Sequence, residues 1–368
     1  MFTPEIGTPI DELDTPCLVV DAAVMEANIK SMFDSTRYLG LNVRPHLKTA
    51  KSPTIARKLI EAGARGICVA KLSEAEIMFE AGVADILITT EIVGEPKQSR
   101  LASLARRNPE LRIVIDNALA AEQLNERLAK CEHQVMVLID VNVGQNRTGV
   151  NTKEEALALA QKLAELPHLR LMGMQGYEGH LQMWPDEKAR RQKCHDACRR
   201  LLDMVAYLEE HGFAIQTVTT GGTGTYMYCS EVEGITEVQP GSFLFMDLAY
   251  RKAGVNQFRQ ALHIMATVIS KPESTRAVVD AGMKSLSTDS GNAAANPRWT
   301  HMSYTPAGDE HGIIESTDGK GLKVNLGDKI LFAPSHIDTT VNLYDYYCIM
   351  RDNRLESICK ISARGKVQ

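Results

Sequence analysis

The run Arg44-Pro45-His46-Leu47-Lys48 closes a short hydrophobic stretch with a lysine. That places Lys48 where a strand stops and a loop begins. Burial disfavours the charged form of an amine, and an unprotonated amine is the nucleophile that Schiff-base chemistry on a carbonyl requires. Strand-end lysines are more often solvated, so the meaning of Lys48 depends on what else the chain gathers around it.

Four further groups occupy the same kind of position, just past an apolar run. Arg147 lies in Asp140-Val141-Asn142-Val143-Gly144-Gln145-Asn146-Arg147-Thr148-Gly149, and Tyr177 in Gln175-Gly176-Tyr177-Glu178-Gly179-His180. Thr219-Thr220-Gly221-Gly222-Thr223-Gly224-Thr225 and Gln239-Pro240-Gly241-Ser242 follow later runs. Hydroxyls and exposed backbone N–H groups in a glycine-threonine loop converge on an anion, so Thr220, Gly221, Gly222, Thr223, Gly241 and Ser242 are candidate phosphate contacts. A phosphate site opposite a strand-end lysine is how a barrel would hold pyridoxal phosphate, with Arg147 donating to the phenolate oxygen and Tyr177 packing near the ring. Each residue alone has a plain reading: a tight turn, a surface charge, a core tyrosine. Their coincidence on one face is the argument.

Pro334-Ser335-His336-Ile337-Asp338 sets an imidazole and a carboxylate two residues apart. In an extended strand those side chains share a face. Nitrogen plus oxygen donors with open positions suit Mg²⁺ or Mn²⁺ rather than a closed zinc site, so His336 and Asp338 are the candidate metal ligands. Cys194 and Cys198 are spaced to share one helix face and could share a metal, but a second half-site is missing and helix packing is the plainer reading. Asp309-Glu310-His311-Gly312 reads as a charged turn.

These groups need a scaffold that brings many strand ends to one rim. Eight short apolar runs alternate with amphipathic segments: Leu41 to Lys48, Gly66 to Ala70, Asp85 to Thr90, Leu111 to Asp116, Gln134 to Val141, Leu171 to Tyr177, Ile215 to Gly221 and Thr236 to Pro240. Helix-like stretches lie between them, among them Ser73 to Ala81, opened by a Ser-Glu-Ala-Glu cap, and Glu154 to Glu165. The rhythm predicts a closed (β/α)8 barrel over residues 22–250; the glycine-rich turn of a doubly wound sheet is absent after the first run. Residues 251–368 are β-rich and predict a second domain, to which residues 1–21 add a strand from Thr15 to Val20.

Composition narrows the function classes. The 368 residues are 44% hydrophobic and 24% charged with net charge −5, which gives no electrostatic footprint for nucleic acid. No apolar segment is long enough to span a bilayer, and Met1 to Glu5 lacks a basic stretch leading into an apolar one, so the expectation is a cytoplasmic protein. The eight scattered cysteines, Cys131 among them, read as reduced thiols.

Taken in order, Asp14-Thr15-Pro16, Arg44 to Lys48, Ser73-Glu74-Ala75-Glu76, Gly144-Gln145-Asn146-Arg147, Gly221-Gly222-Thr223-Gly224, Asp309 to Gly312 and Pro334 to Asp338 resemble the fold-type III pyridoxal phosphate enzymes. Within them the chain is similar to the D-threonine aldolase and D-serine dehydratase group, over nearly its whole length. The resemblance implies an alanine-racemase-like TIM barrel joined to a β domain, Lys48 as the Schiff-base lysine, and a homodimer with active sites near domain and subunit boundaries. His-x-Asp at 336–338 looks like the aldolases, where the dehydratases look like His-x-Cys; Ile361 to Gly365 is also similar to aldolase C-termini. Met183 departs from the histidine that some aldolases carry near the metal. The implied activity is retro-aldol cleavage of D-β-hydroxy-α-amino acids to glycine and an aldehyde, of the low-specificity D-threonine aldolase type. The alternatives are a dehydratase acting on D-serine or D-threo-3-hydroxyaspartate and a pyridoxal phosphate carrier without turnover. A racemase would need an opposing tyrosine such as Tyr226, Tyr228 or Tyr304.

Overall fold

The computed structural model describes residues 4–130, 133–295 and 301–368; Cys131 and the first three residues lie outside them. Two compact units emerge. Met32–Lys48, Ile55–Gly241 and Lys366–Gln368 form one, and Met1–Ser31, Thr49–Thr54 and Ser242–Gly365 the other. Among the described residues no helix is long and apolar enough to cross a membrane.

The chain opens with β1 (Cys17–Asp21) and α1 (Ala22–Tyr38). Eight parallel strands follow, one for each of the eight runs read from the sequence: β2 (Asn42–Val43), β3 (Ile67–Val69), β4 (Ile86–Ile88), β5 (Arg112–Ile115), β6 (Val135–Asp140), β7 (Leu169–Gln175), β8 (Thr217–Thr220) and β9 (Glu237–Val238). Between them come α2 (Pro53–Glu61), α3 (Leu72–Glu80), α4 (Glu95–Arg107), α5 (Ala118–Ala129), α6 (Lys153–Ala164), α7 (Glu187–Glu210) and α8 (Tyr226–Cys229). Strands β3 and β4 are buried throughout, as a parallel sheet covered on both faces requires. Side-chain caps fix several helix starts: Asn117 for α5, Thr152 for α6 and Asp186 for α7. At α3 the cap differs from expectation. Glu74, rather than Ser73, reaches back to the Ala70 and Lys71 N–H groups, while Ser73 Oγ accepts from Arg100.

Strand order runs β2-β9-β8-β7-β6-β5-β4-β3, so the sheet curls until its first and second strands must meet. They meet along residues 43–47. Arg44 and His46 donate to Val238 and Pro240 on one side, while Cys68 N–H donates to Pro45 and Leu47 N–H to Cys68 on the other. Pro45 has no N–H to add, which is why the regular ladder of β2 is only two residues long although the chain runs on as a strand.

Below this seam lies a buried charge network. Arg44 is fully buried, with Nε on Glu237 at 3.0 Å and Nη1 on Asp85 at 2.6 Å, and Arg112 also reaches Asp85. Burial pulls its guanidinium down, but Glu237 and Asp85 outweigh that and hold it above its ordinary value. Gly66 packs so closely on Arg44 and Asp85 that a Cβ would collide with both.

The other unit holds a sheet of β1 with β10 (Leu262–Ser270), β11 (Arg276–Val279), β12 (Ala294–Ala295), β13 (Met302–Pro306), β14 (Gly312–Ser316), β15 (Lys329–Ala333), β16 (Tyr346–Arg351) and β17 (Arg354–Lys360), with short helices α9 (Leu248–Lys252) and α10 (Ile337–Val341). The early strand joins this sheet as expected: β1 pairs antiparallel with β10 and parallel with β16. Leu13, Cys17, Val19, Met265, Cys348, Met350 and Leu355 form a core cluster beneath it. Asp309 to His311 lie in the exposed turn between β13 and β14, where Glu310 pairs with Lys284, and Gly312 opens β14 as a buried residue.

Breaking a buried pair strands its partner charges. Arg44→Met should therefore cost roughly 3–5 kcal/mol, read as a lowered urea midpoint of the barrel unit, with Glu237 left buried and uncompensated. A change under about 1 kcal/mol would refute that role.

Candidate active site

Lys48 is half-buried in the turn that follows the seam. Its backbone N–H donates to His46 Nδ1 at 3.3 Å, so the ring proton sits on Nε2, which lies 2.9 Å from Thr89 Oγ1; Thr89 in turn donates to the Val69 carbonyl. His46 thus ties the lysine's turn to the strand end beyond β4. The sequence reading quoted His46 without giving it this part.

The glycine-threonine loop after β8 is organised by a carboxylate that the sequence reading passed over. Glu178 is fully buried and accepts from Thr220 Oγ1 (2.8 Å), Gly221 N–H (3.1 Å), Gln182 Nε2 (2.9 Å) and Thr225 Oγ1. Burial pushes its pKa up. Gly222 N–H donates to Thr225 Oγ1 and Gly224 N–H to Gln182 Oε1. The N–H groups of 221, 222 and 224 thus have partners in the loop itself and in the Glu178–Gln182 stretch. Gly221 adopts φ 73°, and a Cβ on Gly222 or Gly224 would collide with Gln182. Thr220 is likewise engaged, donating to Gly176 as well as Glu178. Thr223 is buried at the loop's centre, and Gly241 closes the barrel unit after β9. Ser242 belongs to the other unit and starts its first turn, its carbonyl accepting from Phe245 and Met246.

Arg147 and Tyr177 come together: the exposed guanidinium stands 5.8 Å from the centre of the half-buried tyrosine ring. Loops after β6 and β7 also meet where Gly144 approaches His180. Met183 is exposed in the turn beyond. Of the tyrosines weighed as a racemase acid, Tyr304 donates to the Ala281 carbonyl at 2.9 Å inside the β unit, and Tyr228 to Glu187.

Three acids at the ends of successive strands were also missed. Glu91 follows β4, Asp116 follows β5 and Asp140 ends β6. Asp140 accepts from Gln175 and Thr148, and Asp116 from Gly149 N–H. Burial first, then the Asp140 charge, pushes the Glu91 carboxyl up to about 7. An acid at each of three neighbouring strand ends was the available signal.

His336 and Asp338 do not lie in an extended strand as expected. His336 is the residue before α10 and Asp338 sits in its first turn, because Asp247 Oδ2 captures the Ile337 N–H and Thr340 Oγ1 caps the His336 carbonyl. Burial raises Asp247 to about 6. His336 Nδ1 bonds Asp289 Oδ2 at 2.7 Å, which leaves Nε2 as the ring nitrogen that could bind a cation. Burial alone would raise Asp289, but hydrogen bonds from Ser287, His336 and Thr339 hold it at about 2. The donor set suits a hard divalent cation. In the same unit a cavity of about 770 Å³ is lined by Gln260, His263 and three cations, Arg251, Lys252 and Arg259, none of them singled out by the sequence pattern.

Two measurements check these arrangements. Glu91 carries a raised pKa, so the stability it contributes is complete below about 4.5 and is lost as pH rises through about 7. Glu91→Gln should flatten the fall of the melting temperature across that window, a difference on the order of 1–2 kcal/mol after solvent screening. Asp289→Ala should weaken divalent-cation binding at His336 roughly 10–100-fold in a calorimetric titration, with the fold intact. Unchanged affinity would remove Asp289 from the site.

The description "Alanine racemase, N-terminal domain" matches residues 20–249, and a serine dehydratase domain description matches residues 261–350. The chain is 38% identical to the D-threonine aldolase of an Arthrobacter species, covering 98% of this chain and 95% of that protein. It is 34% identical to the 3-hydroxy-D-aspartate aldolase of Paracoccus denitrificans, over 98% and 94% of the two chains. The crystal structure of D-threonine aldolase from Filomicrobium marinum superposes with a TM-score of 0.94 at 33% identity, covering 99% of each chain. With its barrel, its second sheet and its sequence all aligned end to end with these proteins, the chain belongs to the alanine racemase N-terminal domain family, in the branch that contains the D-threonine and 3-hydroxy-D-aspartate aldolases.

Proposed function

We propose that this protein is a pyridoxal phosphate- and divalent-metal-dependent aldolase, a homodimer that cleaves D-β-hydroxy-α-amino acids such as D-threonine to glycine and an aldehyde. The observation that carries this reading is the His336–Asp338 pair with Asp289 behind the imidazole, a nitrogen-oxygen donor set for Mn²⁺ or Mg²⁺. The dehydratase alternative would set a thiolate in place of Asp338. A carrier without turnover gives no part to a metal pair.

The cofactor fits the barrel rim. Lys48 follows β2 and the glycine-threonine loop follows β8, with β9 alone between them; at about 4.8 Å per strand the two ends stand roughly 10 Å apart, the span of a substituted pyridine and its phosphate arm. Cleavage of Cα–Cβ requires a proton to leave the β-hydroxyl and a sink for the electron pair left on Cα; bound pyridoxal phosphate supplies the sink and the divalent cation the acidity. Lys48 holds the cofactor through its amine, and His46 fixes the turn from which that amine projects. Arg147, steadied over Tyr177, sets a positive charge beside the ring. Thr223, on a loop that Glu178 has already shaped, and Gly241, after β9, are the phosphate contacts in this reading. Glu91, with its raised pKa, stands at the same rim beside Asp140.

The test incubates the protein with pyridoxal phosphate, Mn²⁺ and either D-threonine or D-3-hydroxyaspartate and measures all products together. Glycine with acetaldehyde or glyoxylate, abolished by chelator and by Lys48→Ala, is expected. Oxo acid with ammonia would make it a dehydratase, and turnover by Lys48→Ala would overturn the assignment.

A further inference from the structure

Cys194 and Cys198 of α7, one turn apart on one face, gain a third thiol in the fold. Cys229, the last residue of α8, brings its sulfur 3.4 Å from that of Cys194, and the three sulfurs all lie within 4.8 Å of one another. Exposure is 0%, 1% and 0%. We propose that Cys194, Cys198 and Cys229 form a closed structural site for a thiophilic divalent d¹⁰ cation of the zinc and cadmium class, distinct from the His336–Asp338 pair.

Spacing, burial and donor softness carry the argument. A cation with metal–sulfur bonds of about 2.3 Å holds its thiolates about 3.8–4.0 Å apart, so the cluster reaches that geometry by sub-ångström shifts of rotatable thiols. Soft sulfur donors select such ions over Mg²⁺ and Mn²⁺. Entry replaces thiol protons, because the thiolate is the ligand: three protons leave to solvent, and three thiolates around the dication leave one net negative charge. Complete burial means that the ion enters while this unit folds, as in closed structural sites. The site has a place in the architecture. Cys229 lies four residues past Thr225, whose hydroxyl is bound by Glu178, and its sulfur is 3.1 Å from where a Cβ on Gly221 would be. A cation here pins α8 to α7 directly behind the glycine-threonine loop.

The test uses the full chain produced in cells supplied with Cd²⁺ and purified with a non-thiol reductant. Thiolate-to-cadmium charge transfer gives an ultraviolet band that nitrogen and oxygen ligands at His336 and Asp338 do not produce, so the two sites are told apart without any activity measurement. One Cd²⁺ per chain with this band is expected, lost in Cys198→Ala and in Cys229→Ser, and retained in Cys17→Ala and Cys131→Ala. The expected melting temperature is several degrees higher for the cadmium-loaded wild type than for its metal-free form, with no such gain in Cys198→Ala. Wild-type protein isolated without the band, or a band that persists in Cys198→Ala, would reduce the cluster to core packing.

Discussion

A parallel sheet of eight strands closes only where its first and second strands meet, and here that closure depends on five residues. Residues 43–47 bond to β9 and to β3 in alternation, with Pro45 contributing only a carbonyl. The residue that leaves this seam is Lys48. Because His46 is held on both sides by backbone and again through its ring to Thr89 and the Lys48 amide, the lysine's starting point is fixed before any ligand arrives. The buried Arg44 network beneath the same strand serves the other end of the same constraint, since β2 contributes few ladder bonds of its own. Barrel closure and placement of the reactive amine are one structural problem.

Glu178 does for the opposite side of the rim what His46 does for Lys48. A buried carboxylate is costly unless its lone pairs are filled, and four donors, Gln182 and three from the glycine-threonine loop, fill them. The loop is consequently rigid through internal bonds. Its glycines answer to Gln182 and to a left-handed turn rather than to a ligand alone. Rigid elements with satisfied polar networks are the setting in which a cofactor can be oriented without paying for loop ordering.

The eight strands were legible because parallel strands covered on both faces leave continuous apolar runs, and the run near Thr15 to Val20 could be assigned to the second sheet because no barrel strand was left for it. Polar convergence was not legible. Asp289 lies 47 residues from His336, and Cys229 lies 31 from Cys198, distances over which no periodicity speaks. Glu178 was in view in the run Gln175 to His180, where nothing local announces the four donors it gathers. The strand expected through His336 and Asp338 gave way to α10 because Pro334 ends the ladder and Asp247, some ninety residues earlier, holds the Ile337 amide. Local pattern predicts elements; which side chains meet depends on the topology that those elements build.

The account stands or falls on which amine carries the cofactor. Protein loaded with pyridoxal phosphate, reduced with borohydride and digested, should yield one pyridoxyl-bearing peptide, modified at Lys48. Modification at Lys51, Lys71 or any other lysine, with Lys48 unlabelled, would contradict the site described here.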